Sequence, residues 1–204
     1  MEAIKYYISG YCCIKHGQIS VNGQHLFGTE DLPFTDFAKQ AYQHTGITYP
    51  KFFKMDNLSK LAFLGAEFLL KDRISDREDN IALVFANNSS SLDTDVKYND
   101  SIADKDNFYP SPGVFVYTLP NICLGEISIR HKLYTENSFF IFTAFNAEFF
   151  TNYANHLLNT GKAEKVLCGW VEIYKENYKA FLYIVSDTGL MEHSLENIEN
   201  IYSK

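Results

Sequence analysis

Positive charge is scarce in this 204-residue sequence: 18 Lys and Arg stand against 25 Asp and Glu, a formal net charge of -7. That balance argues against general attraction to nucleic acid or to an anionic membrane, and leaves room only for local basic patches. Long apolar runs are missing too. No stretch approaches the ~18 uninterrupted apolar residues of a membrane span. The N-terminus MEAIKYYISG has no apolar core behind a basic flank. No membrane span is expected, and a cytoplasmic location follows. The four cysteines, Cys12, Cys13, Cys123 and Cys168, form no paired C-x-x-C clips, and two are adjacent. Reduced thiols fit that spacing better than a disulfide framework. The six histidines, His16, His25, His44, His131, His156 and His193, show no H-E-x-x-H or other paired spacing, so neither a metal nor another cofactor is expected. Internal repeats and low-complexity tracts are absent as well.

What is present is apolar bulk. At 46% hydrophobic and 16% aromatic residues, the chain can fill one domain over 1–204. Ile4 to Ser9 reads as a first strand ended by Gly10, with Cys12 and Cys13 following it, and Gln18 to Val21 as a second extended stretch. Pro33 to His44 carries helical spacing in Phe34, Phe37, Ala38 and Ala41, with Pro33 suited to a first turn. Asn57 to Lys71 repeats apolar residues at intervals of three and four, and Asp56 or Asn57 would cap it. A charged exit, Lys71 to Asn80, leads to the apolar run Ile81 to Ala86. The pattern then alternates: helix Asn121 to Lys132, strand Phe139 to Phe142, helix Asn146 to Asn159 ended by Gly161, and strand Lys165 to Cys168. Residues 87–113, rich in Asn, Ser, Asp and Pro, read as a surface connection around a short helix. Val166 to Tyr174 and Ala180 to Val185 suggest an antiparallel hairpin at the sheet edge, ahead of a polar helical tail. Together these predict a layered α/β domain with a mixed, mostly parallel, five-stranded central sheet.

Asn87-Asn88 followed by Ser89 to Ser91 has the position of an anion loop after a strand but lacks the glycines such a loop needs, so a capped helix start at Ser91 is preferred. Phe139, Phe140, Phe142, Phe145, Phe149 and Phe150 form an aromatic cluster. As a strand, Phe139 to Phe142 is apolar on both faces and must be covered on two sides.

Three passages resemble the β-ketoacyl synthases. In SPGVFVYTLPNICLGEISIRHKLYTENSFFIFTAF, Pro120-Asn121 opens a helix and a short strand leads to Thr143-Ala144-Phe145, where the family has Ser/Thr-Ala-Cys. NTGKAEKVLCGWVE keeps Gly161, Ala163, Glu164, Gly169 and Glu172 of a family passage, and KMDNLSKLAFLGAEFLL is similar to a family helix that follows an Arg-Met-Asp-like turn. The resemblance implies a thiolase-like half, in which two α/β halves would bury the nucleophile helix between their sheets. It also implies lost catalysis, because Phe145 replaces the nucleophilic cysteine and can neither attack a thioester nor form a thiolate. The family's catalytic histidines belong to a second half, and His131, His156 and His193 do not stand at matching positions.

Non-catalytic partners called chain-length factors occur in that family. The implied role is therefore a non-catalytic partner subunit in fatty-acid or polyketide (polyene-type) assembly, paired as a homodimer or as a heterodimer with a complete ketosynthase. The Phe145 helix would then pack against that second chain. Two alternatives stay open: a homodimer holding an acyl chain or acyl carrier protein without turnover, and a residual acyltransferase using Cys123, whose place near a helix start would lower its pKa. An acidic carrier protein would need a basic surface, for which Lys51, Lys54 and Lys60, with Arg130, His131 and Lys132, are candidates.

Overall fold

The computed structural model describes residues 5–71, 80–106 and 108–203, so Ile4 and most of the charged segment after Lys71 lie outside the described residues. The chain opens with a meander, β1 (Tyr7–Lys15), β2 (Gln18–Val21) and β3 (Gln24–Gly28). Asn22 and Gly23 join the last two with φ of 52° and 79°, the left-handed pair that a tight two-residue hairpin turn demands. The Asn22 Oδ1 also accepts the Tyr11 N–H at 2.9 Å. Gly10 does not end the first strand. It sits at a register shift inside β1, where a bulge absorbs the extra residue, so Cys12 and Cys13 lie within the strand.

Helix α1 (Phe34–Thr45) follows Pro33, which caps it from outside rather than entering its first turn. After a 3-10 turn at Pro50–Lys54, α2 (Asn57–Leu70) is capped by Asp56, whose carboxylate accepts the Ser59 N–H. The chain continues through β4 (Ile81–Asn87), α3 (Leu92–Ala103), α4 (Pro112–Phe115), α5 (Ile122–His131), β5 (Asn137–Ile141), α6 (Ala147–Asn159), β6 (Lys165–Tyr174), β7 (Asn177–Ser186), β8 (Met191–Glu192) and α7 (Leu195–Tyr202). The connection at 87–113 thus holds a full twelve-residue helix.

The mixed sheet is larger than the five strands expected: eight strands, ordered β3-β2-β1-β7-β6-β4-β5, with β8 beside β1. Only β4 pairs in parallel, with β5 on one side and β6 on the other, and every other described pairing is antiparallel. The β6–β7 hairpin, turning at Lys175-Glu176, lies in mid-sheet between β4 and β1 rather than at the edge. The reason is visible in its burial: both strands are buried on nearly every residue, which an edge position would not provide.

Helices cover both faces. Ile81, Leu83 and Phe85 of β4 belong to the core that α1, α2 and α5 also fill, whereas Ala82, Val84 and Ala86 belong to the one filled by α6 and α7. Gly169 on β6 lets the Phe85 ring lie against its backbone, since a Cβ there would come within 2.9 Å of that ring. Each fully buried Leu, Ile or Phe contributes about 1.5–3 kcal/mol relative to exposure, so these two cores dominate stability.

Between α2 and α5 a carboxylate is fully buried. Glu67, 0% exposed on α2, accepts from Arg130 Nε and a second guanidinium nitrogen of α5 at 3.1 and 3.0 Å, and faces His131 Nε2 at 3.3 Å. Burial alone would push its carboxyl up, but hydrogen bonds from His131 and Arg130 outweigh that and hold it below the ordinary carboxylate range. Removing the carboxylate strands the cationic side of the cluster. Glu67→Ala should therefore cost about 3–5 kcal/mol in urea denaturation. A depressed folded pKa gives stability that is full above the unfolded value of about 4.3 and is lost as pH falls through the folded value. The stability gap between the native protein and Glu67→Gln should accordingly narrow between pH 6 and pH 3.

Candidate functional site

The carboxyl ends of parallel strands are where α/β sheets open crevices, and here the loops after β4, β5 and β6 meet. Asn88, just past β4, donates its side-chain amide to the carbonyls of Phe142 and Thr143 at 3.2 and 3.0 Å. Glu172, near the end of β6, accepts the backbone N–H groups of Asn88 and Ser89 at 2.6 and 3.2 Å, and the Ser89 hydroxyl as well. The Asn87 to Ser91 loop is therefore a clamp on the turn after β5, not an anion cradle. Ser91 precedes α3 as expected, but its hydroxyl donates to the Thr118 carbonyl at 2.6 Å instead of capping the helix.

That clamped turn delivers Phe145 two residues before α6, whose cap is Asn146 through the Phe149 N–H at 2.9 Å. The Phe145 ring stacks on Tyr202 of α7 with centroids 4.0 Å apart and on Phe150 at 5.4 Å, and meets Phe181 and Trp170 edge-on at 5.7 and 6.1 Å. Lys179 lies over the far partner, its Nζ 3.5 Å from the Tyr202 ring centroid, and donates to the Tyr202 carbonyl at 3.2 Å. Burial lowers the pKa of that lysine, and Cys13 partly opposes the shift. The result is an aromatic plug with a cation on one rim. At the head of α6 it places an aromatic ring and no thiol.

The histidines stand apart from the plug. His131 faces Glu67 on the other side of the sheet, and His156 is exposed. His193 holds Nδ1 3.0 Å from Asn155 Oδ1, and burial lowers its pKa to about 4. Cys123 is 1% exposed inside the α2–α5 core, where burial pushes its thiol well up. Desolvation outweighs the helix-start effect expected to activate it. Cys12 and Cys168 are buried with thiols raised for the same reason, Cys168 to about 12.

Phe139 to Phe142 was expected to need a second chain over one face. From within the chain one face is covered, where Phe140 and Phe142 pack on Phe149 and Phe140 also on Tyr153, while Ile141 on the other face is 50% exposed. Helix α6 packs inward on its own sheet, and its outward side carries exposed Glu148, Asn152, His156 and Asn159. Among the described residues, no strand pairs with the second edge of β5.

The basic candidates fall into two groups. Lys51 is engaged by Glu126 at 2.8 Å and Arg130 by Glu67. Lys54 and Lys132 are exposed, and Lys60 is half-buried. Lys60 and Glu67, seven residues apart on α2, are separated by about 10 Å of helix, which places Arg130 away from the Lys54 and Lys60 end. Tyr202, Trp170, Phe181 and Lys179 were not anticipated as site residues. The signal for Tyr202 was present in the tail, where Ile198, Ile201 and Tyr202 recur at helical spacing behind the Ser194 cap.

Neither a protein-family model nor a curated protein sequence matches the chain. Solved structures do. The ishigamide ketosynthase/chain length factor aligns with TM-score 0.64 and 18% identity over 89% of this chain and 62% of its own. The ketosynthase ApeO in complex with its chain length factor ApeC from Xenorhabdus doucetiae gives 0.59 and 15% over 92% and 81%. A beta-ketoacyl synthase from Burkholderia phymatum gives 0.56 and 12% over 99% and 62%. The chain has the thiolase-like fold of these proteins. It spans about six tenths of the length of the first and third.

Within that fold the plug has a measurable consequence. Offset aromatic pairs are worth about 0.5–1.5 kcal/mol beyond their area. A double-mutant cycle of Phe145→Ala and Tyr202→Ala, read by denaturant unfolding, should return a coupling of about that size. Each single variant should lose about 2–3 kcal/mol, short of a wholly buried ring.

Proposed function

We propose that this chain is a non-catalytic β-ketoacyl synthase-like subunit that pairs with a complete ketosynthase, in the manner of a chain-length factor, during fatty-acid or polyketide assembly. The observation that carries the reading is Phe145. It stands where the resemblance puts the nucleophilic cysteine, at the start of α6, and five aromatic rings including its own fill the space around it. A thioester finds no thiol at the head of α6. Two of the similar structures are a ketosynthase/chain length factor and a ketosynthase in complex with its chain length factor, which supports a partner role over a solitary one. Burial of Cys123 weighs against the residual acyltransferase.

The open edge of β5 supports pairing with a second sheet. Leu83 N–H donates to the Glu136 carbonyl and Phe142 N–H to the Asn87 carbonyl, so even-numbered residues here bond to β4. Alternation then turns the backbone groups of Phe139 and Ile141 toward the free edge, and Ile141 is 50% exposed. An exposed strand edge is a template for another strand. For an acidic carrier protein, Lys54, Lys60 and Lys132 are the proposed contacts, because Lys51 and Arg130 are already paired.

The test is recovery of the tagged chain from its native cell, with partners identified by mass spectrometry and the complex sized by light scattering. A ketosynthase in stoichiometric amount is expected. Ile141→Pro, which deletes an outward N–H, and Ile141→Lys should each cut that recovery at least tenfold without moving the thermal melt. A homodimer without ketosynthase would favour the acyl-holding alternative, and a monomer retaining neither would sink the partner reading.

A further inference from the structure

A cleft of about 480 Å³ opens between the 3-10 turn, the start of α2, α3 and α4, within the roughly 300–1,000 Å³ typical of small-molecule sites. Its lining is two-sided. Lys54, Lys60 and Lys97 line it beside Asp56, while Met55, Val114 and the Tyr117 ring supply an apolar wall. In a chain of net charge -7 such a gathering of cations runs against the composition.

The nearby carboxylates are largely occupied. Asp56 accepts the Ser59 N–H at 2.9 Å and the Thr94 hydroxyl at 2.7 Å. Asp93 accepts Lys97 Nζ at 2.6 Å, the Asn57 side chain at 3.0 Å and the Lys175 N–H at 2.9 Å. Those bonds tie α2, α3 and the β6–β7 turn into one frame, so the walls are held before any ligand arrives. Lys60 is the exception. It is half-buried, its pKa is lowered by burial and by Lys97 while Asp56 opposes the shift, and among the described residues it has no hydrogen bond or ion pair. Lys54 is likewise unpaired there and exposed.

A half-desolvated ammonium without a bonded carboxylate beside an apolar wall is complementary to an anion that carries a hydrocarbon arm. Metal cations are disfavoured by three lysines, and a neutral apolar ligand would leave Lys60 further desolvated. We propose that this cleft binds a small phosphate-headed amphiphile, its phosphate between Lys54 and Lys60 and its apolar arm along Met55, Val114 and Tyr117. Lys54 and Lys60 are also among the proposed carrier-protein contacts, but the cleft needs no ketosynthase beside the chain, so its titration is read separately from the pairing.

Calorimetric titration of the full chain with hexyl phosphate, inorganic phosphate and hexanol tests it. Hexyl phosphate should bind one-to-one and at least tenfold tighter than either fragment, the gain expected from burying about two methylenes. Binding should weaken as salt is raised. Lys60→Met, which keeps the buried stem, and Lys54→Gln should each lose at least tenfold in affinity with the melt unchanged, whereas Lys132→Met should bind as the native protein does. Equal affinity for inorganic and hexyl phosphate would reduce the cleft to an exposed lysine patch and overturn the proposal. Absent saturation, or full affinity in both Lys60→Met and Lys54→Gln, would overturn it too.

Discussion

β4 has no face turned to water: all seven of its residues are buried, and this constraint orders the rest of the molecule. A strand in that position must bond on both edges and be covered on both faces, because a bare amide or carbonyl inside the core costs as much as a lost hydrogen bond. β5 and β6 meet the first demand in parallel, and helices on each side meet the second. The two faces of β4 differ in size. Ile81, Leu83 and Phe85 project into the core shared with α2 and α5, whereas Ala82, Val84 and Ala86 are small. The small face leaves volume that Phe150, Trp170 and Phe181 occupy, and the aromatic plug at Phe145 is the rim of that same layer.

This explains which parts of the fold could be read in advance. The α2 and α6 helices announced themselves through spacing and caps, and Ile81 to Ala86 through its unbroken apolar run. The meander did not. β3 is exposed along most of its length, Leu26 included, so hydrophobic pattern carries little information there, although Asn22-Gly23 was a hairpin signal in plain view. Gly10 misled because glycine serves both as a terminator and inside a bulge, and only the pairing partner β7 decides between them. The β6–β7 hairpin was legible as a hairpin, while its central position depends on β1 returning from the far end of the sequence.

The site was legible in the same uneven way. Phe145 could be singled out because the residue types around it resemble an order that leads to a cysteine in the β-ketoacyl synthases. Trp170 and Phe181 could not, since they come from β6 and β7 and converge on the Phe145 ring only in three dimensions. Cys123 shows the opposite failure. Its local position near a helix start favours a thiolate, yet complete burial raises the thiol well above its ordinary value, and desolvation is the larger of the two effects.

Burial also bears on how such a chain would meet a partner. In a two-halved thiolase-like body the helix following the nucleophile is implied to lie between two sheets, which calls for apolar residues around its whole circumference. α6 is instead divided: Ala147, Phe150, Ala154, Leu157 and Leu158 face the chain's own sheet, and Glu148, Asn152, His156 and Asn159 face outward and exposed. Desolvating that polar row against a second sheet would cost free energy without hydrogen-bond partners to offset it. The β5 edge carries no such cost, since its outward backbone groups can exchange water for another strand's amides and carbonyls, and Ile141 would bury apolar surface in the same step. A partner is therefore better accommodated beside the sheet, continuing it, than across α6.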